Sequence, residues 1–160
     1  MKIPDQTVAV ALGSNLGGSA QIFRRAISRL RDLSVTPVRV SSFWKTAPVD
    51  CPPGSPDFLN AVCVFTVQAG ERPESLLLEL QTLEKEFGRR PKKVLNEPRP
   101  LDLDIIAFGQ ERRSGERLTL PHPRAAQRRF VLGPLAELEP DWVLPGRRLT
   151  VAALLLRLRD

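Results

Sequence analysis

Arg99-Pro100-Leu101-Asp102-Leu103-Asp104-Ile105-Ile106-Ala107-Phe108 alternates like a β-strand and then runs apolar. Successive side chains of a strand point to opposite faces. Asp102 and Asp104 therefore share one face, with Cα atoms roughly 6.5 Å apart. Leu101, Leu103 and Ile105 turn the other way, into apolar packing. Leu101 to Phe108 is thus expected as a strand with one packed and one acidic face. Upstream, Glu71 to Phe87 reads as a helix whose stripe is Leu76, Leu80, Leu83 and Phe87. Before it, Phe58 to Val67 and Val38 to Lys45 read as strands, separated by the turn-rich stretch Pro48 to Pro56. Ser19 is expected to cap a helix through Leu33, with Ile22, Ala26, Leu30 and Leu33 on one face. Thr7 to Leu12 is a buried strand ended by Gly13. The order is β-α-β-β-α-β, which predicts an α+β, ferredoxin-like sandwich. Beyond it, Arg117 to Trp142 reads mostly as loop and short helix. Thr150 is expected to cap a last helix, Val151 to Arg159.

Composition fits this reading. The chain has 160 residues, 42% apolar and 26% charged, ordinary values for one globular domain. Its longest apolar run is six residues, Val151 to Leu156, against the roughly 20 that a spanning helix needs. The first residues lack the apolar core of a signal peptide. Cys51 and Cys63 have no metal-ligand spacing. A cytoplasmic protein with reduced thiols is the expectation. The formal charge is +6, with 19 Arg and 5 Lys. That balance fits a polyphosphate substrate, a nucleic acid, or merely a solvated basic surface. With no Tyr, 7 Phe and 2 Trp, few rings are available for a base-stacking platform.

Five constellations carry possible chemistry. Asp102 and Asp104 repel each other unless a cation sits between them, and carboxylates with phosphates and waters are Mg²⁺ ligands. Read alone, they fit a wet acidic strand edge equally well. Phe87 to Arg99 holds five basic residues between Arg89 and Arg99 and one acid, Glu97. It is either a phosphate-closing loop or a solvated one. Gly13-Ser14-Asn15-Leu16-Gly17-Gly18-Ser19 is Gly-rich but matches neither the G-x-x-x-x-G-K-[ST] nor the G-x-G-x-x-G phosphate loop, and by itself is a strand-to-helix turn. Phe58 and Asn60 alternate onto one strand face, where a ring stacks on a flat heterocycle and an amide offers a donor and an acceptor. A core Phe beside a satisfied Asn has the same spacing. Leu120-Pro121-His122-Pro123-Arg124, then Arg128-Arg129-Phe130, contains the only histidine, which cannot by itself build a zinc site.

Taken together, Ala11-Leu12-Gly13-Ser14-Asn15-Leu16, Ser41-Ser42-Phe43, Phe58-Leu59-Asn60, Pro98 to Asp104, and Pro121 to Arg124 with Arg129 to Leu132 resemble the 6-hydroxymethyl-7,8-dihydropterin pyrophosphokinases of folate biosynthesis. The resemblance runs from about Val8 to Pro145 and rests on the joint order of these motifs. It implies a single pyrophosphokinase domain over residues 1–160. It implies transfer of the pyrophosphoryl group of ATP to the pterin's hydroxymethyl oxygen, releasing AMP. Two Mg²⁺ ions would bridge protein and triphosphate, held by Asp102 and Asp104. Phe58 and Phe130 would sandwich the pterin, Asn60 would bond its edge, and main chain around Thr46, Pro48 and Val49 would line the pocket. Arg89, Lys92 and Arg99 align with catalytic positions. Those three, with Gln81, Glu84, Ile105, Arg117, Thr119, His122 and Arg128, align with nucleotide-contacting positions. The chain departs from the family where Phe58 replaces a common Tyr. In the loop, Leu95, Asn96 and Glu97 stand where a basic residue, any residue and Gly are usual, and Pro91 replaces an Arg.

Two other classes share parts of this pattern. An RRM-like RNA-binding module would use the same fold and high pI, but acids on its binding face would repel a phosphate backbone. A palm-type, two-metal nucleotidyl transferase also uses strand-borne acids, but leaves Phe58, Asn60 and Phe130 unexplained. The pyrophosphokinase reading expects ATP and the pterin as partners, no nucleic acid, no membrane, and a monomer.

Overall fold

The computed structural model describes residues 3–15, 18–47, 53–54, 56–88 and 100–158. Its sheet is organised around β1 (Thr7–Ser14), whose neighbours are β4 (Phe58–Thr66) on one side and β5 (Asp102–Phe108) on the other, both antiparallel. β2 (Arg39–Val40) and β3 (Trp44–Thr46) both pair antiparallel with the far side of β4. The order is β2-β4-β1-β5.

The two faces of the sheet are packed by different helices. Val8, Val10, Leu12, Ala61, Cys63, Phe65, Leu103 and Ile105 turn toward α1 (Ser19–Arg31) and α2 (Pro73–Glu86). These helices bury Phe23, Ala26, Ile27 and Leu30, and Leu76, Leu80 and Leu83. Ala9, Val62, Val64 and Ile106 turn the other way. They pack under α3 (Arg129–Leu138) and α4 (Val151–Arg157). Mixed α and β elements on an antiparallel sheet make this an α+β protein. The described helices include none long and apolar enough to cross a membrane.

The structure refines several expected boundaries. The stretch expected as one strand from Val38 to Lys45 is two short ones, β2 and β3, with Ser41 to Phe43 between them. Ser19 does not cap α1: the cap position is Gly18 at φ 78°, and the Ser19 hydroxyl lies 2.9 Å from that of Ser14. The Thr150 hydroxyl does cap α4, accepting from the Ala153 N–H at 3.1 Å. A small hairpin of β6 (Arg113–Ser114) and β7 (Thr119–Leu120) follows β5.

Within Arg117 to Trp142, expected as mostly loop and short helix, α3 is a helix of ten residues. Gly133 and Pro134 obscured its bounds, because both lower helix propensity in a helix interior. Burial explains why it forms. Val131, Leu132 and Leu135 are at or below 4% exposed, so tertiary packing outweighs the local penalty.

Candidate active site

α3 covers only part of its sheet face. At its first turn, a cavity of about 860 Å³ opens over the ends of β1, β4 and β5. Register builds its floor. Gly13 lies opposite Asn60 on one side and Asp102 on the other. In the next row of the same face, Ala11 lies between Val62 and Asp104. The central strand thus contributes only small residues there. The depression lies over them, and its walls are the longer side chains of the neighbouring strands. Phe58, Asn60 and Thr46 wall one side, and Asp102, Asp104 and Ile106 the other. His122, Pro123, Arg124, Arg128, Phe130 and Val131 close the rim from beyond the sheet.

Asn60 is buried and its amide is oriented. Nδ2 donates to the Trp44 carbonyl at 3.3 Å and to the Thr46 hydroxyl at 3.0 Å. Oδ1 remains over Gly13, 3.9 Å from where a Cβ would stand on that residue. The amide therefore presents an acceptor to the cavity. Phe58 and Phe130 are half-buried, and both line the cavity. The Arg128 guanidinium sits 5.5 Å from the Phe130 ring centre, within cation–π range.

Charge is divided across the cavity. Asp102 is half-buried and Asp104 exposed, both on the strand side. His122 is fixed at the edge of β5, where its N–H donates to the Ile106 carbonyl at 2.8 Å. Its Nδ1 accepts from the Arg124 N–H at 3.2 Å, so the neutral ring carries its proton on Nε2. Burial pushes the His122 pKa down. Arg128 and Arg124 add to that, and Asp104 opposes it. Burial also lowers the Arg128 pKa, with repulsion from Arg124 adding to it and attraction from Asp104 opposing it. A cationic rim therefore faces an acidic wall across one space.

The described residues include no cluster of three or more His, Cys, Asp or Glu able to enclose a metal. Two carboxylates supply part of a coordination sphere and leave the rest to other oxygens. That donor set fits Mg²⁺, which keeps several waters and is usually held by one or two carboxylates plus substrate phosphates.

Other anticipated residues lie elsewhere. Glu84, on α2, accepts the N–H of Leu103 at 2.8 Å through its carboxylate, on the outer edge of β5. Gln81 is exposed on the same helix. Ile105 is 3% exposed and packs toward α1 and α2, while its neighbour Ile106 lines the cavity. Thr119 is on β7, and Arg117 is exposed between β6 and β7. None of these five lines the cavity. Arg89, Lys92, Arg99, Pro48 and Val49 lie outside the described residues, as do Pro91, Leu95, Asn96 and Glu97. Arg124 was not anticipated as a site residue, although it stands in the same Pro-flanked motif as His122. Ala11 and Gly13 were also missed. Their signal is register: they are the floor opposite Asn60, Asp102 and Asp104.

Comparison with known proteins identifies the family. The family described as 7,8-dihydro-6-hydroxymethylpterin-pyrophosphokinase matches residues 9–140. The 2-amino-4-hydroxy-6-hydroxymethyldihydropteridine pyrophosphokinase of Haemophilus influenzae is 40% identical over 144 residues, covering 89% of this chain and 88% of that protein. Its namesake in Synechocystis is 38% identical over 146 residues, covering 91% and 73%. The folic acid synthesis protein fol1 of Pneumocystis carinii is 37% identical over 159 residues, 99% of this chain. The chain spans only 21% of that protein, and 24% of the mitochondrial folate synthesis bifunctional protein of Arabidopsis thaliana. By the extent of these matches, the chain belongs to the 7,8-dihydro-6-hydroxymethylpterin-pyrophosphokinase family.

Proposed function

We propose that this chain transfers the β,γ-pyrophosphoryl group of ATP to the hydroxymethyl oxygen of 6-hydroxymethyl-7,8-dihydropterin and releases AMP. One observation carries the reading: a single cavity holds two rings and an oriented amide together with an acidic pair facing a cationic rim. The first set suits a flat heterocycle and the second a metal-bound polyphosphate.

In this reading Phe58 and Phe130 stack on the pterin, and Asn60 Oδ1 accepts from an N–H on its edge. Thr46 belongs to that wall, and Pro48 and Val49 would contact the pterin through their main chain. Asp102 and Asp104 would hold two Mg²⁺ ions, which when bound supply Lewis-acid neutralisation of phosphate charge. Positioning and charge stabilisation provide most of the barrier reduction in phosphoryl transfer. Arg128 and Arg124 offset charge on the transferring group. His122, neutral at physiological pH with its proton on Nε2, donates to a phosphate oxygen. Arg89, Lys92 and Arg99 complete the cationic set. The hydroxymethyl oxygen forms its bond to the β-phosphorus as the bond to the α,β-bridging oxygen breaks. Charge then develops on AMP while the hydroxyl proton is released.

The strand order supports a ferredoxin-like arrangement as the core of one domain over residues 1–160, with α3 and α4 as the C-terminal addition. A cytoplasmic monomer acting on small molecules alone completes the reading. AMP formation from MgATP, measured with and without 6-hydroxymethyl-7,8-dihydropterin, tests it. Pterin-dependent AMP is the expected result. Pterin-independent ATP hydrolysis, or nucleotide transfer to a nucleic acid, would overturn it.

A further inference from the structure

Beyond the cavity, one side of α3 is occupied by a single tryptophan. Trp44 lies directly opposite Asn60 on neighbouring strands, so both side chains turn to the α3 face. The six-membered ring of its indole meets the helix at Gly133. A Cβ there would stand 2.6 Å from Cζ2 and 2.7 Å from Cζ3, so no larger residue leaves room for the ring. One turn further along α3, Glu137 takes the indole N–H at 2.8 Å. The same carboxylate accepts the Ser42 N–H at 2.7 Å and the Ser42 hydroxyl at 2.6 Å. Phe130, Gly133 and Glu137 follow one another at helical spacing and form one stripe.

The two ends of this arrangement meet the cavity. The Trp44 carbonyl accepts the Asn60 amide, which fixes Oδ1 over Gly13. The helix that holds the Trp44 ring begins with Arg129 and Phe130. We infer that Trp44 and Glu137 are positioning residues for the pterin half of the cavity: they set the distance between the Phe130 ring and the Asn60 acceptor. The inference rests on the pterin assignment proposed above. Neither residue lines the cavity, and neither touches the acidic pair or the cationic rim through any described bond. Their loss should therefore act on the pterin and spare the nucleotide.

The test uses the full chain with Glu137→Ala, Glu137→Gln and Trp44→Phe. Steady-state kinetics and titration calorimetry are run with the pterin and with a non-hydrolysable MgATP analogue. Glu137 is exposed, so its variants should fold, and thermal melting checks this. Glu137→Ala should raise the KM for pterin about tenfold, as loss of charge-assisted hydrogen bonds does. The KM for ATP should stay near the wild-type value. Trp44→Phe keeps a ring but loses the N–H and should fall between. Glu137→Gln keeps one acceptor oxygen and should recover part of the loss. The Trp44 indole N–H resonance should move in both Glu137 variants. A folded Glu137→Ala with unchanged pterin affinity would overturn the inference, as would equal losses for pterin and ATP. A wild-type chain that binds no pterin would instead overturn the proposed function, and this inference with it.

Discussion

The two faces of the sheet are built from the same three strands and end in opposite chemistry. On the α1–α2 face, Val8, Val10 and Leu12 of β1, Ala61, Cys63 and Phe65 of β4, and Leu103 and Ile105 of β5 form one buried cluster under two helices. Burial is so complete that the Cys63 thiol is pushed up to about 12, only partly offset by Arg31, and stays protonated at neutral pH. On the other face α3 covers only part of the sheet. The uncovered end holds Asn60, Asp102 and Asp104 around the small residues Ala11 and Gly13. A fully covered sheet face can only stabilise. A half-covered one leaves register-aligned side chains free for chemistry, on strands made rigid by the packing behind them.

The sharpest way to break this comparison is at the open face. Asp104→Asn removes an anionic metal ligand while keeping the shape. Turnover should fall by roughly a thousandfold, about 4 kcal/mol of transition-state stabilisation. Stability should hold or rise, because Asp104 faces another carboxylate and supports no packing. Single-turnover kinetics and thermal melting read the two quantities separately. A variant that melts early but keeps its rate would show that the acidic pair serves the fold instead.

The closed face should behave in the opposite sense. Leu80 is fully buried on α2. Leu80→Ala leaves a cavity and should destabilise by about 3 kcal/mol. The kcat of the folded fraction should be unchanged. Denaturant unfolding gives the first value, and the rate at temperatures well below the midpoint gives the second. A large loss of kcat in still-folded protein would mean that the two faces are not separable.

The difference between the faces also explains what the sequence made legible. Strand alternation and the stripes Leu76-Leu80-Leu83 and Ala26-Leu30 are periodic signals, and they located much of the closed face, though not the buried Phe23 and Ile27. Phe58, Asn60, Asp102 and Asp104 were legible as same-face pairs, because strand alternation needs no tertiary information. Which cavity they share was not legible. That depends on register between strands far apart in the chain, and on where α3 begins. Short helix was expected in this stretch, but the bounds of α3 were not legible, because Gly133 and Pro134 read locally as breakers, whereas Gly133 is set by the Trp44 ring. Glu84 shows the converse. Its helical position could be read, but its partner, the N–H of Leu103 on an edge strand, could not.

Gly133→Ala sets these two levels against each other. Helix propensity favours Ala over Gly by about 1 kcal/mol. The added methyl would enter the Trp44 ring, and overpacking of this kind costs about 1–3 kcal/mol. The ring is pinned by its N–H bond to Glu137 and cannot slide away freely. The net change should be destabilising by about 1 kcal/mol. Pterin affinity should fall more than ATP affinity. A stabilised variant with normal pterin binding would show that Trp44 moves easily and that α3 is not held by it.

The smallest expected effect is a pH dependence at Glu137. Burial raises its pKa, but the bonds from the Ser42 hydroxyl, the Ser42 N–H and the Trp44 indole outweigh that, and the net shift is downward. A carboxyl with a lower pKa folded than unfolded binds more protons in the unfolded state, so stability rises with pH across that interval. The contribution is complete above the unfolded carboxyl range, near pH 4.3, and disappears as pH falls through the folded value. The carboxylate is exposed, so the effect is small and weakens with salt. Stability between about pH 3 and 6 should therefore fall slightly more on acidification in the wild type than in Glu137→Gln, which cannot titrate there. Trp44 emission, separated from that of buried Trp142 by comparison with Trp44→Phe, should change over the same interval. If the two stability profiles coincide and the emission stays flat, the carboxylate does not hold Trp44 in solution, and the open face owes its shape to the strands alone.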